Sequence, residues 1–235
     1  MDIKSKIILI SGPTASGKSN FALKVAKKTN GEIINADSMQ VYKQLDILTA
    51  RPKKKDLINI KHHLYGFQSV KKNFSTGDWL KLVKGKIKEI KKKNKVPILV
   101  GGTGLYFKSI TEGLVKIPNV PLTFRNKVRL LQKKLGQKKF YQNLLKIDPS
   151  VKNKINPNDV QRSIRAFEIK KFTKKSITHW FEKTKTLYDP SCFMKIYIDF
   201  PKEQLLQRIK ERVDQMFKEG AINEVKQFNK LKVRS

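Results

Sequence analysis

Apolar positions along this chain come in short runs and in helical stripes that alternate. Ile7 to Ile10 is a four-residue apolar run of strand length, bounded at once by Gly12 and Pro13. Ser19 to Lys28 follows as an amphipathic helix, ended by Asn30-Gly31. Glu32 to Ala36 predicts a second strand that delivers Asp37 at its carboxyl end. Ser75-Thr76-Gly77-Asp78 has the form of a capping box with Asp in place of Glu, and Trp79, Val83, Ile87 and Ile90 recur behind it at helical spacing. Pro97 to Val100 reads as a buried strand ending in the loop Gly101-Gly102-Thr103-Gly104, and Met194 to Asp199 as a late strand. Leu205, Ile209, Val213 and Met216 then form the stripe of a helix closed by Gly220.

This β-α-β rhythm predicts an α/β fold, a parallel sheet flanked by helices. From about residue 116 to 190 the rhythm stops, and the chain becomes lysine-rich and mostly helical, with breakers at Gly136, Pro149 and Pro157. We read residues 1–115 and 191–235 as one core and 116–190 as a helical insertion domain. The Lys53-Lys54-Lys55 and Lys91-Lys92-Lys93 runs read as solvated loops or helix ends.

Composition narrows the class. No apolar run approaches the ~20 residues that span a bilayer, and the segment before Ile7 leads into too short a run for a signal peptide. Cys192 is the only cysteine, so no internal disulfide forms and a cytoplasmic setting is expected. The formal charge is +33, which suits a polyanionic partner or reflects a lysine-rich composition in general. Its distribution favours a binding surface: residues 116–185 hold 19 Lys and Arg against 4 Asp and Glu.

The most specific local chemistry lies after the first strand. Gly12-Pro13-Thr14-Ala15-Ser16-Gly17-Lys18-Ser19 is a complete G-x-x-x-x-G-K-[ST] phosphate loop. Its backbone N–H groups converge on phosphate oxygens, Lys18 adds a point charge, and the Ser19 hydroxyl is a ligand for Mg²⁺. Asp37 and Thr103 sit on the same rim, since ligands of open α/β sheets bind off the carboxyl ends of strands. Asp37 suits a general base, with an N-cap or metal ligand as the plainer roles. His62-His63 forms no zinc set in a chain with one cysteine and three histidines, and reads as a structural or substrate-adjacent pair.

Four motifs in order, G-P-T-A-S-G-K-S at 12–19, D-S-M-Q-V-Y at 37–42, G-G-T-G-L-Y at 101–106 and N-P-N-D-V-Q-R-S-I-R-A at 156–166, resemble the bacterial tRNA dimethylallyltransferases (tRNA isopentenyltransferases). The resemblance implies a P-loop NTPase-like core with an inserted helical RNA-binding domain. It implies transfer of a dimethylallyl group from dimethylallyl diphosphate to N6 of the adenosine 3′ of the anticodon in tRNA, with Mg²⁺ as cofactor. Gly12 to Ser19 would then hold the diphosphate, with Lys18 and Thr103 taking part in catalysis and Asp37 as the base. Asp37, Ser38, Met39, Gln40 and Thr103 match contacts to the target nucleotide. Arg125, and the segment Gln161, Arg162, Ser163, Ile164 and Arg165, match further contacts to the anticodon stem-loop. A monomer with no membrane association is expected.

The resemblance also implies a Gly-Tyr-containing segment, downstream of Ser235, carrying an arginine for the pyrophosphate, so the chain reads as C-terminally short. Two other readings share part of the pattern. One is a P-loop small-molecule or nucleotide kinase; the other is a truncated protein that binds tRNA without turnover.

Overall fold

The structure is a computed structural model that describes residues 3–53 and 58–233. Lys54 and Lys55, from the run read as a loop, lie outside the described residues. The chain divides into two compact units, residues 1–111 with 187–235 and Glu112–Thr186. The second unit begins and ends a few residues earlier than the boundaries read from composition.

In the first unit the apolar runs become a parallel sheet. Its strands are β1 (Ile7–Ser11), β2 (Gly31–Asn35), β3 (His62–His63), β4 (Val96–Val100) and β5 (Phe193–Tyr197), in the order β3-β2-β4-β1-β5. Ile8 pairs with Ile98 on one side and Met194 on the other, which places β1 inside the sheet. Both faces of β1, β2 and β4 are covered, so they read as continuous apolar runs. β5 is an edge strand, and its burial alternates accordingly, with Phe193 buried and Tyr197 exposed.

Helix α1 (Lys18–Thr29) starts directly from the phosphate loop. Asn30, rather than Gly31, takes the left-handed turn that ends it (φ 51°), and Gly31 already belongs to β2. Helix α2 (Thr76–Lys92) carries the expected capping box: Ser75 Oγ accepts the Asp78 N–H, and Asp78 Oδ2 accepts the Ser75 N–H at 2.9 Å. Its stripe of Trp79, Val83, Ile87 and Ile90 is buried. The Trp79 indole N–H donates to the Asn35 carbonyl at 2.9 Å, and its ring stacks on Tyr106 at 4.2 Å. Tyr106 lies on α3 (Gly104–Thr111), a helix that the sequence reading left as part of the rim loop.

The second unit has a core of its own. Helix α4 (Leu122–Ile147) is interrupted at Gly136 (φ 70°, ψ 165°), one of the anticipated breakers. Helix α5 (Val160–Thr173) begins at Asp159, whose side chain accepts the Arg162 N–H, and α6 (Ile177–Glu182) follows. Phe140, Leu144, Val151, Ala166 and Ile169 are fully buried together, and Phe140 meets Phe167 at 5.0 Å. The first unit ends in α7 (Lys202–Lys218) and α8 (Ala221–Lys230). The stripe predicted for α7 marks a real helix, but Val213 is exposed and α7 has no buried residue.

Candidate active site

The site begins at the phosphate loop, where β1 ends and α1 starts. Ala15 (φ 63°) and Gly17 (φ 87°) both take left-handed backbone angles, so successive N–H groups turn toward a common hollow. An alanine in that region is strained, and such strain is maintained where a binding loop needs it. Lys18 Nζ donates to the Pro13 carbonyl at 2.6 Å, folding its ammonium back over the loop. The Ser16 hydroxyl is buried in the loop with no hydrogen-bond partner, and Ser19 is exposed at the start of α1.

Asp37 follows β2 on the same rim. Its Oδ1 accepts the Met39 N–H at 2.8 Å, while Oδ2 takes no donor among the described residues. One oxygen therefore shapes the local turn and the other is left for chemistry, so the capping role and the base role are both possible at once. Asn35 braces this turn: its Oδ1 accepts the Asp37 N–H, and its Nδ2 donates to the carbonyls of Asp37 and Leu64. Thr103 closes the rim from the loop after β4. Its Oγ1 accepts the Ser38 N–H at 2.9 Å and its own N–H donates to the Ala36 carbonyl. Gln40 is oriented by two bonds from Nε2, to the carbonyls of Thr49 (2.9 Å) and Ala50 (3.1 Å).

Helix α7 contributes a residue that the sequence reading missed. Arg212 lines a cavity of about 570 Å³ together with Thr14, Lys18, Ser19, Asp37 and Gln40. Burial lowers the affinity of the Lys18 ammonium for its proton; the Asp37 carboxylate opposes this, and Arg212 adds to it. Burial likewise lowers Arg212, again against the pull of Asp37. Two cations and one carboxylate thus share a partly desolvated hollow beside the phosphate loop. That arrangement suits a polyanion whose charge grows during reaction. Arg212 brings this second cation to the hollow from α7. Its signal was a guanidinium beside Val213 and one turn after Ile209, on the flank of the α7 stripe.

A neighbouring cavity of about 450 Å³ shares Ser19, Tyr65, Arg212 and Met216 with the first. Burial, then the nearby Asp37 charge, raises the Tyr65 phenol above its ordinary range. His62-His63 turns out to be β3. His63 Nε2 lies 2.7 Å from Glu32 Oε2, both buried, and Lys95 Nζ lies 3.1 Å from Glu32 Oε1. This pair braces the sheet, and among the described residues no cluster of three or more His, Cys, Asp or Glu could hold a metal.

In the second unit, the proposed RNA-facing residues divide. Gln161 and Arg162 are exposed on α5, and Arg165 is half-exposed, 3.1 Å from the buried Glu168 carboxylate. Arg125 Nε lies 3.6 Å from the same oxygen of Glu168. The side chains of Ser163 and Ile164 are instead buried within the unit. Ser163 is fully buried and its Oγ accepts from Gln137 Nε2, and Ile164 packs in the unit's core. A helix cannot present five successive side chains to one partner.

A family model described as IPP transferase matches residues 40–235. The chain is 63% identical to the tRNA dimethylallyltransferase of Pelagibacter ubique over 234 residues, covering 100% of this chain and 75% of that protein. It is 45% identical to the tRNA dimethylallyltransferase of Rickettsia massiliae, covering 94% of this chain and 61% of the relative. Among solved structures it is similar to the tRNA isopentenylpyrophosphate transferase of Bacillus halodurans (TM-score 0.65, 32% identity, 98% of this chain and 72% of that one). It is also similar to a eukaryotic dimethylallyltransferase described as acting on tRNA (TM-score 0.81, 31% identity, 96% of this chain and 56% of that one). The fold class read from the β-α-β rhythm agrees with these neighbours.

Proposed function

Because the chain belongs to the IPP transferase family, we propose that it transfers a dimethylallyl group from dimethylallyl diphosphate to N6 of the adenosine 3′ of the anticodon in tRNA. The observation that carries this reading is the convergence of Lys18, Arg212 and Asp37 on one cavity beside the phosphate loop. The loop N–H groups and the two cations bind the diphosphate and stabilise the negative charge that gathers on it as the allylic C–O bond breaks. The adenine N6 attacks the allylic carbon, forming the C–N bond as diphosphate departs. Asp37 Oδ2, free of donors among the described residues, accepts the proton that N6 loses. Thr103 and Ser38 hold the two rim loops together around the reacting nitrogen.

The donor set fits Mg²⁺ bound through the substrate rather than in a protein cage. Ser19 offers a hydroxyl next to the phosphate hollow, and Mg²⁺ commonly takes few protein ligands plus phosphate oxygens and water. When bound there it would neutralise diphosphate charge. In the second unit, Gln161, Arg162, Arg165 and Arg125 form the tRNA-facing group, with Met39 at the rim contacting the target nucleotide. A cytoplasmic setting follows from that substrate.

Family membership favours prenyl transfer over phosphoryl transfer, and one experiment separates them. The protein is incubated with an anticodon stem-loop and either dimethylallyl diphosphate or ATP, and the products are resolved by mass. A prenylated adenosine with release of diphosphate is expected. ATP consumption without RNA modification would overturn the reading in favour of a kinase. Stem-loop binding with no product would favour a form that binds without turnover.

A further inference from the structure

Glu224 lies on the first turn of α8, outside the cavity, yet its carboxylate is committed to a loop far away in sequence. Oε1 accepts the N–H groups of Asp46 (2.6 Å) and Ile47 (2.9 Å), and Oε2 accepts that of Leu48 (2.9 Å). Those three N–H groups begin a single helical turn. It closes through Ala50 N–H to Ile47 O and Arg51 N–H to Asp46 O, with Ala50 in a left-handed conformation (φ 47°). A turn with unmet N–H groups at its start attracts negative charge, and Glu224 supplies that charge from another element. The Asp46 carboxylate accepts from Arg51 Nε instead, so the turn does not cap itself.

The far end of this turn holds Gln40. The carbonyls of Thr49 and Ala50 take both amide hydrogens of Gln40. That fixes which way the amide points and leaves Oε1 as an acceptor with no donor among the described residues, on a residue that lines the cavity beside Asp37. A chain of contacts thus runs from the Glu224 carboxylate, through three N–H groups and one turn, to the acceptor face of Gln40.

We propose that Glu224 is a positioning residue for the target nucleotide, holding the 46–51 turn so that Gln40 presents an acceptor, and not a donor, to the base. This rests on the transferase reading. Glu224 touches neither substrate; it acts through the turn.

The test uses Glu224→Gln, which keeps the shape but replaces one of the two acceptor oxygens with a donor. Hydrogen exchange on the ligand-free protein should quicken about tenfold or more at the amides of 46–48, because bonds to a charged acceptor are among the stronger ones. KM for an anticodon stem-loop should rise by a similar factor, while affinity for dimethylallyl diphosphate holds. In a Gln40→Ala background the same change should add little, because its effect passes through Gln40. Unchanged exchange at 46–48 would overturn the proposal. So would a full additional loss in the Gln40→Ala background, or an equal loss of donor affinity. If the parent protein transfers no prenyl group, the function reading has failed. The exchange data and stem-loop affinities then still decide the role of Glu224.

Discussion

The Thr103 hydroxyl accepts the Ser38 N–H at 2.9 Å and donates to Ser38 Oγ at 3.3 Å. The loops that follow β2 and β4 are therefore joined by a single side chain. It ties Asp37's neighbour to the opposite rim, with its backbone N–H adding a bond to the Ala36 carbonyl.

Thr103→Val keeps the shape and removes both bonds. Loss of a buried or half-buried hydrogen-bonding pair costs about 1 to 3 kcal/mol, so kcat/KM should fall at least several-fold. Thr103→Ser should recover most of it. Steady-state kinetics with a stem-loop substrate checks this, and equal rates for Val and Ser would remove Thr103 from the site.

Asp37→Asn removes the proton acceptor while leaving an oxygen for the Met39 N–H. Loss of a general base typically lowers rate by about 10² to 10⁴, with stem-loop affinity little changed. Single-turnover rates beside equilibrium binding measure the two effects apart. Near-parental turnover would exclude Asp37 as the base.

Arg212→Ala takes away a cation that meets charge developing on the leaving diphosphate. Removing one such donor commonly lowers kcat by about 10² to 10³. Lys18→Ala should weaken donor binding as well, since Lys18 belongs to the loop that first grips the diphosphate. Calorimetry with dimethylallyl diphosphate, alongside kcat, distinguishes the two. If Arg212→Ala keeps parental kcat, the site's second cation lies elsewhere.

Arg162 and Arg165 report on whether the charge of the second unit is used. Each arginine that neutralises a phosphate contributes about 0.7 to 0.9 to the slope of log affinity against log salt. Replacing both with Ala should weaken tRNA binding and flatten that slope. An unchanged slope would mean the charge belongs to a solvated face.

Acid should weaken the first unit through Glu32 and His63. Burial holds His63 below its ordinary 6.5, with the Glu32 contact opposing. Burial alone would raise Glu32, but hydrogen bonds from His63 and Lys95 outweigh it and hold the carboxyl below its ordinary 4.5. Both groups therefore bind protons more readily in the unfolded chain. Stability is complete above about pH 6.5, declines as pH falls through the lower value of folded His63, and declines further below pH 4.5. Tm followed from pH 8 to 4 tests this, and His63→Gln should flatten the upper part of the fall.

What could be read from the sequence was whatever is local. The phosphate loop, the Ser75–Asp78 cap and the stripe from Trp79 to Ile90 each carry their physics within a few residues. β3 was not readable, because two histidines are too few to show alternation and their pairing with Ile33 and Ile34 is tertiary. Arg212 was hidden for a similar reason: periodicity reveals the stripe of α7, while the direction its flank faces depends on how β5 returns to the sheet. The side chains of Ser163 and Ile164 are buried by the way α5 packs in the second unit, which the motif does not reveal. Ile164 stands three residues from Gln161, a spacing that puts both on one side of a helix, so only that packing separates them.

The placement of β1 has a consequence for synthesis on the ribosome. It precedes both of its partners in the chain: Ile98 in β4 is made before the second unit, and Met194 in β5 only after it. The edge of β1 that pairs with β5 must therefore wait, unpaired, through the whole of the second unit's translation. Such an edge invites pairing with other chains. Growing chains halted before residue 193 should accordingly depend on chaperones far more than chains that extend past β5.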